Sequence, residues 1–126
     1  MRRVRIILGV AAGCVVLVGA GGAGAWFYRN ATYFERGMAA VTHAGYVEKQ
    51  ATVNGSVLSY AEGPASGPAL VLIHGQEVDW ENYRRVLPEL ATRYHVFAVD
   101  CYGHGSSARV PEKYSAVALG TDLRTF

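Results

Sequence analysis

Two short glycine-containing stretches carry residue types from which acyl-transfer chemistry is built. The first, His74-Gly75-Gln76, follows directly on the apolar run Ala69 to Ile73. A tight turn at a strand end exposes backbone amides, and acyl transfer needs such amides aimed at the oxyanion as it develops. The second stretch runs from Asp100 through Cys101, Tyr102, Gly103, His104, Gly105 and Ser106 to Ser107. Gly103 and Gly105 permit a tight path there. Asp100 and Ser106 are suited to hydrogen-bonding loop amides, which makes this second loop a scaffold. A thiol nucleophile at Cys101 would need a partner base, and none is evident.

These stretches need elements that hold them. Ala69 to Ile73 and His95 to Val99 are apolar runs bounded by turn residues, the pattern of strands buried on both faces. Between them, a helix is expected from about Trp80 to Arg93, with Asp79 as its N-cap. Tyr83, Val86, Leu87, Leu90, Ala91 and Tyr94 fall on one helical face. Pro88 lacks an amide donor and should kink that helix near Arg84. Strand, helix and strand make a right-handed parallel crossover. Both loops then lie beyond the carboxyl ends of parallel strands, where open α/β sheets bind ligands.

Upstream, Tyr46 to Val53 and Ser56 to Ala61 alternate with a period of two around Asn54-Gly55. Asn-Gly favours positive φ at both central turn positions, so this is a strong hairpin signal. Gly63 to Pro68 reads as a loop. Downstream, Pro111 restarts the chain, and Tyr114 to Phe126 reads as a helix with Ala116, Leu119, Leu123 and Phe126 on one side.

The stretch from Tyr46 to Phe126 resembles the N-terminal part of an α/β-hydrolase domain. The resemblance lies in Leu72-Ile73-His74-Gly75, in Trp80 with Pro88 and Leu90, and in the D-x-x-G-x-G-x-S pattern from Asp100 to Ser107. It implies an α/β fold that opens with an antiparallel hairpin and continues as the strand-helix-strand crossover. It also implies that Gln76 supplies one oxyanion amide, with His74 and Gly75 shaping the turn. Asp100, Gly103, His104, Gly105 and Ser106 become a structural loop, and His104 is not the family's catalytic histidine. The family's nucleophile sits in a G-x-S-x-G elbow. No such pentapeptide occurs here, and the acid and histidine that should follow it are absent too. In the family's strand order the strand at Ala69 adjoins the nucleophile-bearing strand, so without that neighbour it leaves an apolar edge.

Composition sets the remaining bounds. The chain has 126 residues, a 51% hydrophobic share and a net charge of +2, which suggests no nucleic-acid partner. No glycine-rich phosphate loop or metal-ligand cluster appears, so neither a cofactor nor a metal is expected. Two cysteines, Cys14 and Cys101, make no disulfide framework. Residues 1–5 carry Arg2, Arg3 and Arg5 ahead of an uncharged run from Ile6 to Tyr28. A helix over 6–28 would be roughly 34 Å long, enough to span a bilayer core. The basic residues before it place the N-terminus in the cytoplasm and the remainder outside. Residues 29–45 read as a juxtamembrane linker helix, and 46–126 as the partial hydrolase domain.

The expectation is therefore a membrane-anchored α/β-hydrolase-like chain, an N-terminal fragment of a serine-type hydrolase. The bilayer and a small-molecule substrate of the intact parent are its partners, and the fragment itself should be inactive. Two alternatives stand beside it. One is a non-catalytic, membrane-anchored binding or pairing module. The other is a secreted hydrolase released by signal cleavage after Ala23-Gly24-Ala25.

Overall fold

A computed structural model describes residues 21–126 of the chain. The chain divides into two units, Met1–Arg36 and Gly37–Phe126. In the first, residues 21–31 are helical. After a turn at Thr32 the chain becomes helical again as α1, Tyr33–His43, which runs on into the second unit.

The membrane-spanning helix expected over 6–28 must be corrected. Residues 6–20 lie outside the described residues. Among the described residues no helix is long and apolar enough to cross a membrane. Only 21–28 of the expected span are described; glycines stand at 21, 22 and 24, and Arg29 and Asn30 then end the apolar run. The single-pass arrangement, with the N-terminus in the cytoplasm and the rest outside, rested on that helix and is not supported by the described residues.

The second unit holds a four-stranded sheet. β1 (Val47–Val53) and β2 (Ser56–Glu62) pair antiparallel in a continuous register from Val47 opposite Glu62 to Val53 opposite Ser56. Asn54 and Gly55 turn the hairpin at φ 47° and 77°, both positive as the Asn-Gly pair favours. β3 (Ala69–Ile73) and β4 (His95–Val99) pair parallel, with Ile73 opposite Val99 at their carboxyl ends. The strand order is β1-β2-β4-β3, so β4 lies inside and β3 at an edge.

The crossover from β3 to β4 is less helical than its apolar period suggests. It contains a 3-10 turn, Trp80–Tyr83, and a short helix α2, Leu87–Leu90. Asp79 caps the first turn by accepting from the Glu81 amide. Pro88 explains the break: inside one long helix it would remove an amide donor and press on the carbonyl of Arg84. It stands instead in the first turn of α2, where a missing donor costs nothing. Leu87 is fully buried beside it.

Side chains of successive β4 residues enter two cores. Val96 and Ala98 join Val41, Tyr46, Ala61, Trp80, Leu87 and Ala91 on one face of the sheet. Val99 joins Val53, Leu58 and Tyr102 on the other, with Phe97, Leu119, Leu123 and Phe126 packed against them. Burying a Leu or Val side chain contributes roughly 1.5–3 kcal/mol, so these central positions hold the sheet. β3 departs from the expectation of burial on both faces. Leu70 and Leu72 pack on the first core, whereas Val71 and Ile73 are 42% and 48% exposed. An edge strand with one face uncovered is the physical reason.

After β4 the chain forms the Asp100–Ser107 loop, a 3-10 turn at Pro111–Lys113, and helix α3, Ala116–Leu123. Ser115 caps α3 by accepting from the Ala118 amide. The helix is shorter than the expected span from Tyr114, because the extended backbone of its Ser115 cap fixes the start.

Candidate oxyanion site at the strand ends

The carboxyl ends of β3 and β4 open into a cavity of about 490 Å³. Its floor is Ile73 to Gln76 and Cys101 to His104; its wall is Lys113 to Ala116 with Leu119. The parallel register that sets Ile73 beside Val99 brings the two loops together. His74, Gly75, Gln76, Gly103 and His104 thus share one cavity. Asp100, Gly105 and Ser106 lie outside its lining and brace the second loop.

The first loop leaves β3 through a constrained turn. Glu77 sits at φ 60°, a left-handed conformation that few non-glycine residues adopt. A side chain at Gly75 would meet nothing within 4 Å, so the backbone there faces open space. His74 is buried beneath the loop and is held at both ring nitrogens. Nδ1 lies 2.6 Å from the Gly75 carbonyl oxygen, and Nε2 accepts from the Cys101 amide at 2.9 Å. The Tyr83 hydroxyl donates to the Ile73 carbonyl at 2.7 Å and fixes the end of β3 from the crossover side.

Asp100 organises the second loop from the inside. It is 1% exposed, and its two carboxylate oxygens accept from the amides of Trp80 at 2.8 Å and Ser106 at 3.2 Å. Burial raises its carboxyl pKa above the usual aspartate value, and the two amide donors partly offset that rise. A Cβ at Gly105 would collide with this carboxylate, and Gly105 itself lies at φ 47°. Gly103, at φ 85°, packs against the Tyr114 ring.

The serine that holds this loop is Ser107. Its hydroxyl donates to the Asp100 carbonyl and accepts from the Ser59 amide, each at 2.8 Å. Sequence pattern drew attention to Ser106 instead, which contributes its backbone amide to the Asp100 carboxylate. No local signal distinguishes the two serines, because the Ser59 partner comes from β2.

The cavity wall was also missed. Lys113 Nζ reaches Asp122 Oδ2 at 2.8 Å and the Asn54 carbonyl at 3.0 Å. Asp122 is held well below the usual aspartate range, at about 2, by hydrogen bonds from Asn54, Lys113 and Tyr102. Lys113 and Asp122 could have been paired only by knowing that the hairpin turn lies against α3.

The site's chemistry follows from these contacts. Burial, with Asp100 beside it, pushes the Cys101 thiol upward, away from the thiolate that a nucleophile needs. His74 Nε2 lies 4.0 Å from Asp100 Oδ1, but its lone pair is taken by the Cys101 amide. The two therefore do not form a base with its orienting carboxylate. Among the described residues, no group of three or more metal-ligating side chains occurs. What the cavity offers is a strained turn with exposed backbone, mostly apolar walls and one ion-paired lysine.

Comparison with known proteins agrees with this architecture. The model of the Alpha/beta hydrolase family matches residues 70–126. Over 75 residues the chain is 36% identical to the soluble epoxide hydrolase of Corynebacterium sp. (strain C12), covering 60% of this chain and 26% of that protein. Over 64 residues it is 42% identical to bifunctional epoxide hydrolase 2 of Sus scrofa, covering 48% of this chain and 12% of that one. A solved membrane phospholipase A, a bacterial virulence factor, superposes with a TM-score of 0.64 at 30% identity, over 95% of this chain and 38% of its own. The chain thus spans about a quarter or less of the length of these curated relatives. Family model, relatives and structural likeness together show that the chain belongs to the α/β-hydrolase fold family, part of whose length it matches.

Proposed function

We propose that this chain supplies the oxyanion-binding end of a hydrolase site acting on an ester, amide or related bond of a small molecule. The observation that carries the reading is the position of the His74-Gly75-Gln76 turn. It sits at the carboxyl end of β3, over a cavity shared with the loop after β4. Backbone amides in such a turn stabilise negative charge on a carbonyl oxygen as it becomes tetrahedral. The Gln76 amide is the donor assigned here, with His74 and Gly75 shaping the turn.

The chain contributes this end without a nucleophile. It contains no G-x-S-x-G pentapeptide. Cys101 is kept as a thiol and Ser107 is committed to two loop hydrogen bonds. As a separate polypeptide it binds an oxyanion and does not turn an ester over.

Phenylphosphonate, whose charged oxygens imitate a tetrahedral oxyanion, tests the reading. Titrated into the 15N-labelled chain, it should shift the amides of residues 75–77 and 101–104 above all others. Shifts confined to the surroundings of Lys113, or none at all in a folded chain, would rule the reading out.

A further inference from the structure

His74 joins the two cavity loops through both of its ring nitrogens. A carbonyl oxygen only accepts and an amide N–H only donates. Nδ1, facing the Gly75 carbonyl oxygen, must therefore carry the proton, and Nε2, facing the Cys101 amide, must carry the lone pair. The neighbours fix one neutral tautomer. The side chain is 0% exposed, so the ring does not exchange these partners for bulk water.

We propose that His74 is a positioning residue whose neutral Nδ1–H form ties Gly75 to Cys101 and sets the Gln76 amide over the cavity, and whose protonation unties the two loops. A second proton must go to Nε2, the atom that accepts from Cys101. Two N–H groups would then face one another across 2.9 Å and that hydrogen bond is lost.

The surrounding groups determine where the ring goes next. Asp100 Oδ1 is the nearby carboxylate oxygen, 4.0 Å from Nε2, and it already accepts from the Trp80 amide. An imidazolium drawn to Asp100 would share an oxygen that accepts from the Trp80 amide, and so would pull the ring away from Cys101. The His104 ring packs edge-on 5.0 Å away, and a charge on both rings would repel. The Cys101 thiol lies 3.9 Å from the His74 carbonyl, and the Tyr83 hydroxyl is held on Ile73. Lys113 lines the same cavity with its charge paired to Asp122. Only Asp100 among these favours the imidazolium, and only in a position that abandons Cys101.

The purpose of the tether rests on the oxyanion reading of Gln76; its geometry does not. The test is imidazole and amide NMR on the 15N-labelled chain across a pH series. At neutral pH, His74 should show a protonated Nδ1 and an unprotonated Nε2. As pH falls, the Cys101 and Gln76 amides should shift together with the His74 ring, at one shared midpoint. His74→Gln keeps an acceptor without a titrating proton. It should retain the low-field Cys101 amide and abolish the shared pH step at Gln76. His74→Ala should lose both while the β1–β2 amides stay in place. A protonated Nε2 at neutral pH, or a ring that titrates while the Cys101 and Gln76 amides stay still, would overturn the proposal. Both readouts come from the unmodified chain, so an unfolded His74→Ala leaves the test intact. A correct tautomer with no phenylphosphonate response would sink the oxyanion reading alone, and the reverse pattern would sink the tether alone.

Discussion

Tyr102 donates its hydroxyl to Asp122 Oδ2 across 2.6 Å, joining the loop after β4 to helix α3. The other carboxylate oxygen of Asp122 accepts from Asn54 Nδ2 at 2.7 Å, so the hairpin turn is drawn into the same contact. Lys113, which lines the cavity, completes the set through its Nζ. One carboxylate thus fixes the cavity wall to the sheet.

This arrangement sets a pH dependence. The Asp122 carboxyl is depressed in the folded chain to about 2. A depressed carboxyl contributes stability that is complete above the unfolded value and is lost as pH falls through the folded one. The wild-type chain should therefore lose stability between about pH 4 and pH 2 through this residue. Asp122→Asn should melt lower at pH 7 and show a smaller further loss over that acid window. Thermal melts of both chains across pH measure this. An unchanged difference between them from pH 7 to pH 2 contradicts it.

Gly55 should resist replacement by valine. It lies at φ 77°, next to Asn54 at φ 47°, and a β-branched residue is strained there. Nothing lies within 4 Å of a Cβ at this position, so any loss comes from the backbone and not from a clash. Gly55→Val should cost roughly 1 kcal/mol or more, read by urea unfolding. Equal midpoints for the two chains would show that the turn is not strained by the side chain.

The hairpin was legible because a two-residue turn writes its backbone angles into residue type. The parallel pair was legible because β3 and β4 are short apolar runs that end at turn residues. Less could be read where the partner lies far along the chain. Ser107 and Ser106 are alike in sequence, and only the Ser59 amide on β2 separates them. Lys113 and Asp122 meet the hairpin turn through contacts that no local period encodes. The apolar period from Trp80 to Tyr94 marked the right buried residues, but Pro88 overrode it as a guide to helix length. At the N-terminus, hydropathy and the basic residues pointed to a spanning helix that the described residues do not contain.

Asp100→Ala should destabilise the chain by about 2–4 kcal/mol, because it leaves the buried amides of Trp80 and Ser106 without their acceptor. Gly105→Ala should also be destabilising, since its Cβ meets the same carboxylate. The two effects share a partner, so the double variant should be more stable than the sum of the single losses. Denaturant unfolding of the three variants decides this, and strict additivity would mean that Gly105 is required for its φ alone.

The chain should not be labelled by a fluorophosphonate, and it should not hydrolyse p-nitrophenyl acetate above background. Among the described residues, no hydrogen bond joins a serine hydroxyl of the second loop to an imidazole: Ser107 is bonded to Ser59 and Asp100, and the His104 Nδ1 faces the Tyr102 carbonyl at 3.3 Å. Mass spectrometry of the treated chain provides the readout. Stoichiometric labelling of Ser106 or Ser107, abolished by His104→Ala, would show that the loop has a nucleophile of its own.

The oxyanion assignment is tested most directly by a crystal structure of the chain with phenylphosphonate. The expected result is a phosphonate oxygen roughly 2.7–3.1 Å from the Gln76 backbone nitrogen, the distance at which an amide stabilises an oxyanion. Gln76→Ala, which keeps that nitrogen, should hold the ligand in the same place. A phosphonate seated on Lys113 Nζ with the Gln76 amide turned away would contradict the account, as would loss of the ligand in Gln76→Ala.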